Sequence, residues 1–518
     1  MWETTAWAAI EESNTRRPNI VIIIADDLGY GDLGCYGASA IPTPNIDQLC
    51  RSGLKLNRCY ATASTCTPTR YSMLTGEYAF RERVRKTSIL DGDSPLAIDP
   101  ARPTLPSILR EAGYHTALVG KWHLGIGDGV KRVDLNQFVG PGPLEIGFDE
   151  AFYIPATVDR VPCVFIENHA VAKLDPQDPI SISYTKPVGT EPTGRDHPEL
   201  LKYRGDKQHS DTIINGISRI GYMTGGQAAR WTDEDISDVL ANRAKQVIAA
   251  PREKPFFLLL GAHDPHVPRL PHPRYVGKSG CGRRGDCIVQ FDALVGEVVA
   301  ALKAANILDE TLIFITSDNG PVLHDGYDDG ALETVGEHRP AGPLRGGKYH
   351  VYEGGCRVPG IVHWPGKVAL GESEELFALV DLPATLPRLA GVKNLPANLG
   401  ADALDLSPVL LGEKATAPRQ HVILQGVGPG RAIVGPRWKF LPATHQDRRS
   451  AAQRNADRQD RRHVDVPVYA DALYDLTVDA SETNNLAAKN PEVVSSLRQE
   501  LARGLGEEWA EMSTGGAD

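Results

Sequence analysis

Asn19-Ile-Val-Ile-Ile-Ile-Ala25, continued by Asp26-Asp27, is the stretch that decides the fold. Its successive β-branched residues show no polar alternation, the pattern of a strand buried on both faces in a parallel sheet. The run ends in two acids, and in open α/β sheets functional groups gather beyond the carboxyl ends of the strands. Taken alone, the pair reads more simply as turn caps.

Working outward, the arrangement recurs. Residues 115–120 read as a strand that delivers Lys121-Trp122-His123, 255–262 as one that ends in His263-Asp264-Pro265-His266, and 311–316 as one that ends in Ser317-Asp318-Asn319-Gly320. Residues 360–364 add a further strand. Helical stretches separate them at 43–53, 104–113, 233–250 (capped by Thr232 or Asp233), 286–306 and 381–390. This alternation predicts an α/β fold, a large mixed, mostly parallel sheet flanked by helices. After residue 429 the texture changes to short strands at 431–434, 438–441 and 473–476 and an amphipathic helix over 491–512. An Arg-rich run over 445–463 alternates with Asp and Gln and reads as solvated loop. The expected organisation is a polar lead-in (1–18), a catalytic domain (19–429), and a smaller C-terminal α+β domain (430–518) of short antiparallel sheet plus helix. Within the catalytic domain, 140–231 is rich in Pro, Gly and polar residues with little periodicity, the mark of an insertion that shapes a binding site or of plain surface loop.

Composition bounds the function. At 518 residues and 41% hydrophobic content the chain exceeds the size of a single core, so unequal domains are expected. No run of eighteen apolar residues occurs, which excludes a membrane-spanning helix as the organising element. A net charge of −11 argues against nucleic acid as a partner. Eight cysteines are too few for a disulfide scaffold; Cys281 and Cys287, bracketing a Gly- and Arg-rich loop, read equally as a local disulfide or as two free thiols. The N-terminus lacks the basic and apolar regions of a signal peptide.

The strand ends carry the chemistry. Asp26, Asp27, Asp318 and Asn319 are all oxygen donors, which suits a hard cation such as Ca²⁺ or Mg²⁺ and disfavours zinc. Arg70, Lys121 and Lys348 add fixed positive charge, so an acidic protein would concentrate cations at one point to bind a small, strongly anionic group. Cys66, just ahead of a short helix that ends at Gly76, would face backbone N–H groups and the positive end of a helix dipole.

Cys66-Thr-Pro-Thr-Arg70 with Leu74-Thr-Gly76 resembles the signature of type I sulfatases, within the alkaline phosphatase superfamily. Asp26-Asp27, Gly120-Lys-Trp-His-Leu-Gly125, His263 with Pro265 and His266, Ser317-Asp-Asn-Gly320 and Gly347-Lys348 follow in the order that family uses. Asp402-Ala-Leu-Asp-Leu-Ser-Pro-Val-Leu, Leu473-Tyr-Asp-Leu and Asn485-Leu486 resemble its C-terminal landmarks, so the likeness covers roughly residues 19 to 490. One departure is Thr69, where Ser is commoner. The resemblance implies an alkaline-phosphatase-like fold and oxidation of Cys66 by a maturation enzyme to Cα-formylglycine. A hydrated aldehyde attacks sulfur through one hydroxyl and expels sulfate on deprotonation of the other, whereas a serine would be left as a stable sulfate ester. By the same resemblance Asp26, Asp27, Asp318, Asn319 and the residue at Cys66 hold Ca²⁺, with Mg²⁺ as second choice. Arg70 orients the diol, Lys121 and Lys348 bind sulfate oxygens, His263 is the general acid and His123 the base, and His266 is a structural neighbour.

The implied substrate is a sulfated carbohydrate of galactose type, with His209, His324 and Asp325 as loop residues that either reach it or are ordinary surface. The alternatives are a phosphonate monoester or phosphodiester hydrolase of the same superfamily and a non-catalytic sulfated-glycan binder, from which acid, base or metal residues would be missing. The resemblance also implies a periplasmic or secreted bacterial protein.

Overall fold

The computed structural model describes residues 17–81, 89–414, 418–427, 430–443, 470–506 and 509. Its centre is a ten-stranded mixed sheet. Five strands run parallel in the order Thr311–Ser317, Asn19–Ala25, Phe256–Gly261, His115–Lys121, Glu150–Ile154. Gly360–His363 and Leu54–Leu56 extend one edge antiparallel, with Gly371–Ser373 outermost, while Ile166–Glu167 and Ala170–Val171 finish the other. Every residue of Asn19–Ala25, Phe256–Gly261 and Thr311–Ser317 is buried, as the unbroken apolar runs predict for strands covered on both faces.

Two groups of helices supply the cover. Pro44–Arg51, Ile236–Ala249 and Gly282–Ala304 pack together, and Cys66–Thr75, Leu105–Glu111 and Leu382–Leu389 form the second group. Thr104 caps its helix through the amide of Ser107, whose hydroxyl accepts from the Thr104 amide in return. The expected helix at 233–250 begins instead with a 3₁₀ turn, Asp233–Asp235, and turns α-helical at Ile236.

A second, four-stranded antiparallel sheet takes the order Val422–Gln425, Arg431–Val434, Trp438–Leu441, Ala472–Asp475, with the helix Pro491–Leu505 against its middle strands. This sheet begins at Val422, ahead of residue 430, because Val422–Gln425 is the partner that completes its edge. Its core is continuous with the first layer: Tyr60, Tyr78, Phe80, Val351 and Tyr352 pack into the same cluster as Ile433, Phe440, Leu473 and Leu501. The Arg-rich run at 445–463 and the end of the helix expected to reach 512 lie outside the described residues, apart from Trp509.

The insertion contains more structure than its composition predicts. Glu150–Ile154 joins the central sheet, and two small antiparallel pairs, Ser181–Ser183 with Tyr222–Thr224 and Ile213–Ile214 with Ile217–Ser218, fold the rest. Cys281 and Cys287 are separate buried thiols, the first at the N-cap of Gly282–Ala304 and the second inside that helix.

Candidate active site

Register brings the four acid and amide groups together. Ala25 lies opposite Ser317 in parallel strands, so Asp26-Asp27 and Asp318-Asn319 leave the sheet side by side, all of them buried. The Asp27 amide donates to Asp318 Oδ1 at 3.4 Å and Asn319 Nδ2 donates to Asp27 Oδ1 at 2.7 Å. Two buried oxygens, Asp26 Oδ1 and Asn319 Oδ1, have no hydrogen-bond partner. Unpaired buried acceptors are costly, and a hard cation satisfies both. Asp26, Asp27 and His266 offer ligand atoms within 4.8 Å of one another, as do Asp26, Cys66 and Asp318. The donor set therefore fits an oxygen-coordinated divalent cation, and His266 Nε2 stands 3.7 Å from Asp27 Oδ2.

Three permanent cations surround these acids. Lys121 Nζ is 2.6 Å from Asp26 Oδ2 and 3.7 Å from Asp318 Oδ2. Arg70 Nε donates to Asp318 Oδ2 at 2.8 Å and Nη1 to the Lys121 carbonyl at 2.9 Å, leaving Nη2 buried without a partner. Lys348 Nζ sits 2.8 Å from Asp27 Oδ2 and 2.9 Å from Asp325 Oδ2, and Tyr349 donates to the other oxygen of Asp325 at 2.7 Å. Burial works to neutralise Lys348, but Asp27 and Asp325 hold it well above the usual lysine range. Burial likewise opposes ionisation of Asp318, yet Arg70 and Lys121 outweigh it and keep the carboxyl below its ordinary value. Counted as charges, four carboxylates (Asp26, Asp27, Asp318, Asp325) face three cations. A divalent ion would turn that small deficit into a net positive site for an anion.

Cys66 opens the helix Cys66–Thr75, whose residues are all buried, so its Sγ lies at a desolvated helix N-terminus. Sγ is 3.2 Å from His123 Nδ1, while His123 Nε2 is 2.9 Å from the Leu90 carbonyl. A carbonyl only accepts, so Nε2 carries the proton and the Nδ1 lone pair faces Cys66. Burial first, then Lys121 and Arg160, hold His123 well below the normal histidine range, leaving a neutral base. Burial also pushes the Cys66 thiol up to about 11, which makes a thiolate scarce at neutral pH. His263 is buried, with neither ring nitrogen hydrogen-bonded and Nε2 3.6 Å from Asp264 Oδ1. Asp27, His123 and Tyr349 adopt φ of 65°, 58° and 77°. Left-handed non-glycine residues concentrated at one site are the kind of strain that packing must hold in place. Gly120, at φ 97°, brings the strand carrying Lys121 so close to its neighbour that a Cβ there would lie 1.9 Å from the Gly261 carbonyl oxygen.

The loop candidates separate. Asp325 and His209 are buried rather than ordinary surface: Asp325 joins Lys348, and His209 bonds Asp206 at 2.8 Å and approaches Asp159 at 3.3 Å, its ring 4.6 Å from that of Tyr327. Against burial, Asp159 and Asp206 push His209 up to about 9. His324 is half-buried, 3.8 Å from Asp328. The sequence reading missed Arg160, a buried guanidinium contributed by the insertion, whose Nε makes no hydrogen bond and stands 3.6 Å from Asp91 Oδ1, and whose charge acts on both His123 and Cys66. It also missed Asp32, which accepts from Arg284 Nη1 at 2.8 Å and from the Gly29 amide at 2.7 Å, while Arg284 Nη2 reaches the Asp27 carbonyl at 3.3 Å. No motif marks these residues; only their burial beside the site does.

The family model described as Sulfatase matches residues 18–392. The chain is 46% identical over 488 residues to N-acetylgalactosamine-6-O-sulfatase of Bacteroides thetaiotaomicron, covering 94% of this chain and 93% of that protein. It is 33% identical over 495 residues to human arylsulfatase A, covering 93% and 87%. A solved Bacteroides thetaiotaomicron protein, described with the metabolism of multiple glycosaminoglycans, superposes with a TM-score of 0.88 at 44% identity over 95% of this chain and 99% of that one. The chain belongs to the sulfatase family and is a sulfuric ester hydrolase.

Proposed function

We propose that this sulfatase removes the 6-O-sulfate of an N-acetylgalactosamine residue in a glycosaminoglycan-type glycan, using an oxygen nucleophile made from Cys66. The observation that carries the substrate is the 46% identity, along nearly the full length of both chains, to a protein named for that reaction. The proposal narrows the galactose-type expectation to one sugar and one carbon. Arg160 and His209, buried cationic groups from the insertion, would meet the sugar or a neighbouring acidic unit.

Asp26, Asp27, Asp318 and Asn319 would hold the cation, Ca²⁺ before Mg²⁺, which supplies Lewis acidity at the sulfate group. Formylglycine at position 66, installed by a maturation enzyme, would supply a hydrated aldehyde oxygen where the thiol now stands. The other steps belong to this chain's side chains. Lys121 and Lys348 bind sulfate oxygens and take up developing charge. Arg70, fixed on Asp318 and the Lys121 carbonyl, keeps its unpaired Nη2 for the nucleophilic residue. His123 Nδ1, 3.2 Å from Sγ, accepts the proton of the group at position 66. His263 protonates the departing sugar oxygen, a poor leaving group that needs an acid. We place the protein in the periplasm or outside a bacterial cell; no helix among the described residues is long and apolar enough to cross a membrane.

Sulfate release over defined 6-O-, 4-O- and N-sulfated amino sugars and 6-O-sulfated galactose, with p-nitrophenyl phosphate and a phosphonate monoester alongside, tests the proposal. The highest kcat/KM is expected on 6-O-sulfated N-acetylgalactosamine. Preference for another position, or for the phosphorus esters, contradicts it.

A further inference from the structure

Three ionisable groups are sealed between the two layers with no part in the chemistry above, and burial pushes the Glu482 carboxyl up to about 7 against the pull of Lys439. Lys439, on Trp438–Leu441, is fully buried, its Nζ 3.0 Å from Glu353 Oε1 and 3.0 Å from Glu482 Oε1, both carboxylates equally buried. Tyr60 donates to Glu353 Oε2 at 2.7 Å, Arg357 Nη1 stands 3.6 Å from the same oxygen, and the Glu353 amide donates to Glu482 Oε2 at 2.7 Å. Glu482 takes a left-handed φ of 52° to reach this place. Desolvating such groups is costly, and apolar groups of the same volume serve stability as well or better, so stability alone is a weak reason for the cluster.

The cluster does fix one piece of backbone, the short helix Glu353–Cys356, against which two active-site loops lean. The Gly320 amide donates to the Gly355 carbonyl at 2.9 Å, and the Gly354 amide donates to the Arg345 carbonyl at 2.7 Å. The packing leaves no slack, because a Cβ at Gly320 would lie 1.8 Å from the Gly354 carbonyl oxygen. Asn319 immediately precedes Gly320, and Lys348 closes the Arg345-Gly-Gly-Lys348 loop. Arg345 Nη1 in turn donates to the Glu482 carbonyl at 2.9 Å.

We propose that Lys439 and Glu482 are positioning residues for sulfate ester hydrolysis, a charged clamp from the C-terminal layer that sets Glu353–Cys356 and, through its backbone, the places of Asn319 and Lys348. This rests on the roles given above to Asn319 and Lys348. The test compares full-length wild type with Lys439→Met, which keeps the length and removes the charge, and Glu482→Asp, which keeps the carboxyl and withdraws it by one methylene. Each is assayed for sulfate release and titrated with Ca²⁺ by calorimetry, at a temperature where circular dichroism shows it folded. The expected result is a fall in kcat of about tenfold or more, together with Ca²⁺ binding weakened several-fold, and Lys439→Arg recovering part of both. If Lys439→Met does not fold, Glu482→Asp carries the test. Variants that lose thermal stability but keep wild-type kcat, KM and Ca²⁺ affinity overturn the clamp alone. Wild type that neither binds Ca²⁺ nor releases sulfate overturns the site reading and the clamp with it.

Discussion

His123 and His209 are two buried histidines given opposite charge by their neighbours. Beside Lys121 and Arg160, His123 is kept neutral; between Asp159 and Asp206, His209 is kept cationic, pushed up to about 9. The raised value means that the folded state binds a proton which the unfolded chain, near 6.5, releases. His209 therefore contributes stability that is fully present below pH 6.5 and is lost as pH rises toward 9. Replacing His209 with Gln should lower the melting temperature clearly at pH 6, by up to ~3 kcal/mol of stability, and little at pH 9.5. Thermal denaturation of both proteins across that range checks it; an equal loss at both pH values would mean that the pairing with Asp159 and Asp206 carries no net charge effect. Legibility at this scale follows local pattern. Asp26, Asp27, Lys121, His263, Asp318 and Asn319 stood out because each sits at the end of an apolar run. Arg160, Asp159 and Asp32 have polar or irregular sequence around them, and each meets a partner distant in the chain: Asp91, His209 and Arg284.

At the scale of elements, the buried strands were legible because continuous β-branched and leucine-rich runs have no amphipathic alternative, and their observed ends fall within a residue or two of expectation. The insertion was not, because pairs such as Ile213–Ile214 with Ile217–Ser218 are too short to show a period. What matters in these strands is how closely they approach. Gly120 faces Gly261 across the strand pair that carries Lys121 and His263 to the site. Gly120→Ala must strain a left-handed backbone and push the two strands apart, so a loss of more than ~3 kcal/mol is expected, with activity falling beyond what the unfolded fraction explains. Denaturant unfolding paired with kcat on the folded fraction measures both. A stable, fully active variant would show that the strand spacing does not set Lys121.

At the scale of the whole molecule, the central sheet and the insertion bring buried charges to one site inside an acidic protein, where the fixed cations are outnumbered by one carboxylate and a divalent ion would reverse the balance. Chelation should therefore abolish turnover and lower thermal stability, and excess Ca²⁺ should restore both; saturating ligand at about a hundred times its dissociation constant adds ~2.7 kcal/mol. Unchanged melting after exhaustive chelation would count against a cation at Asp26 and Asn319. At position 66 the proposed reacting atom is an oxygen: burial pushes the thiol there up to about 11, and it lies 3.2 Å from His123 Nδ1. Peptide mass mapping of active enzyme across preparations of different specific activity addresses this most directly. Activity should rise in proportion to the fraction of the Cys66 peptide that has lost sulfur and gained oxygen, and vanish in Cys66→Ala with the fold intact; full activity from protein whose Cys66 remains an unmodified thiol would contradict the account.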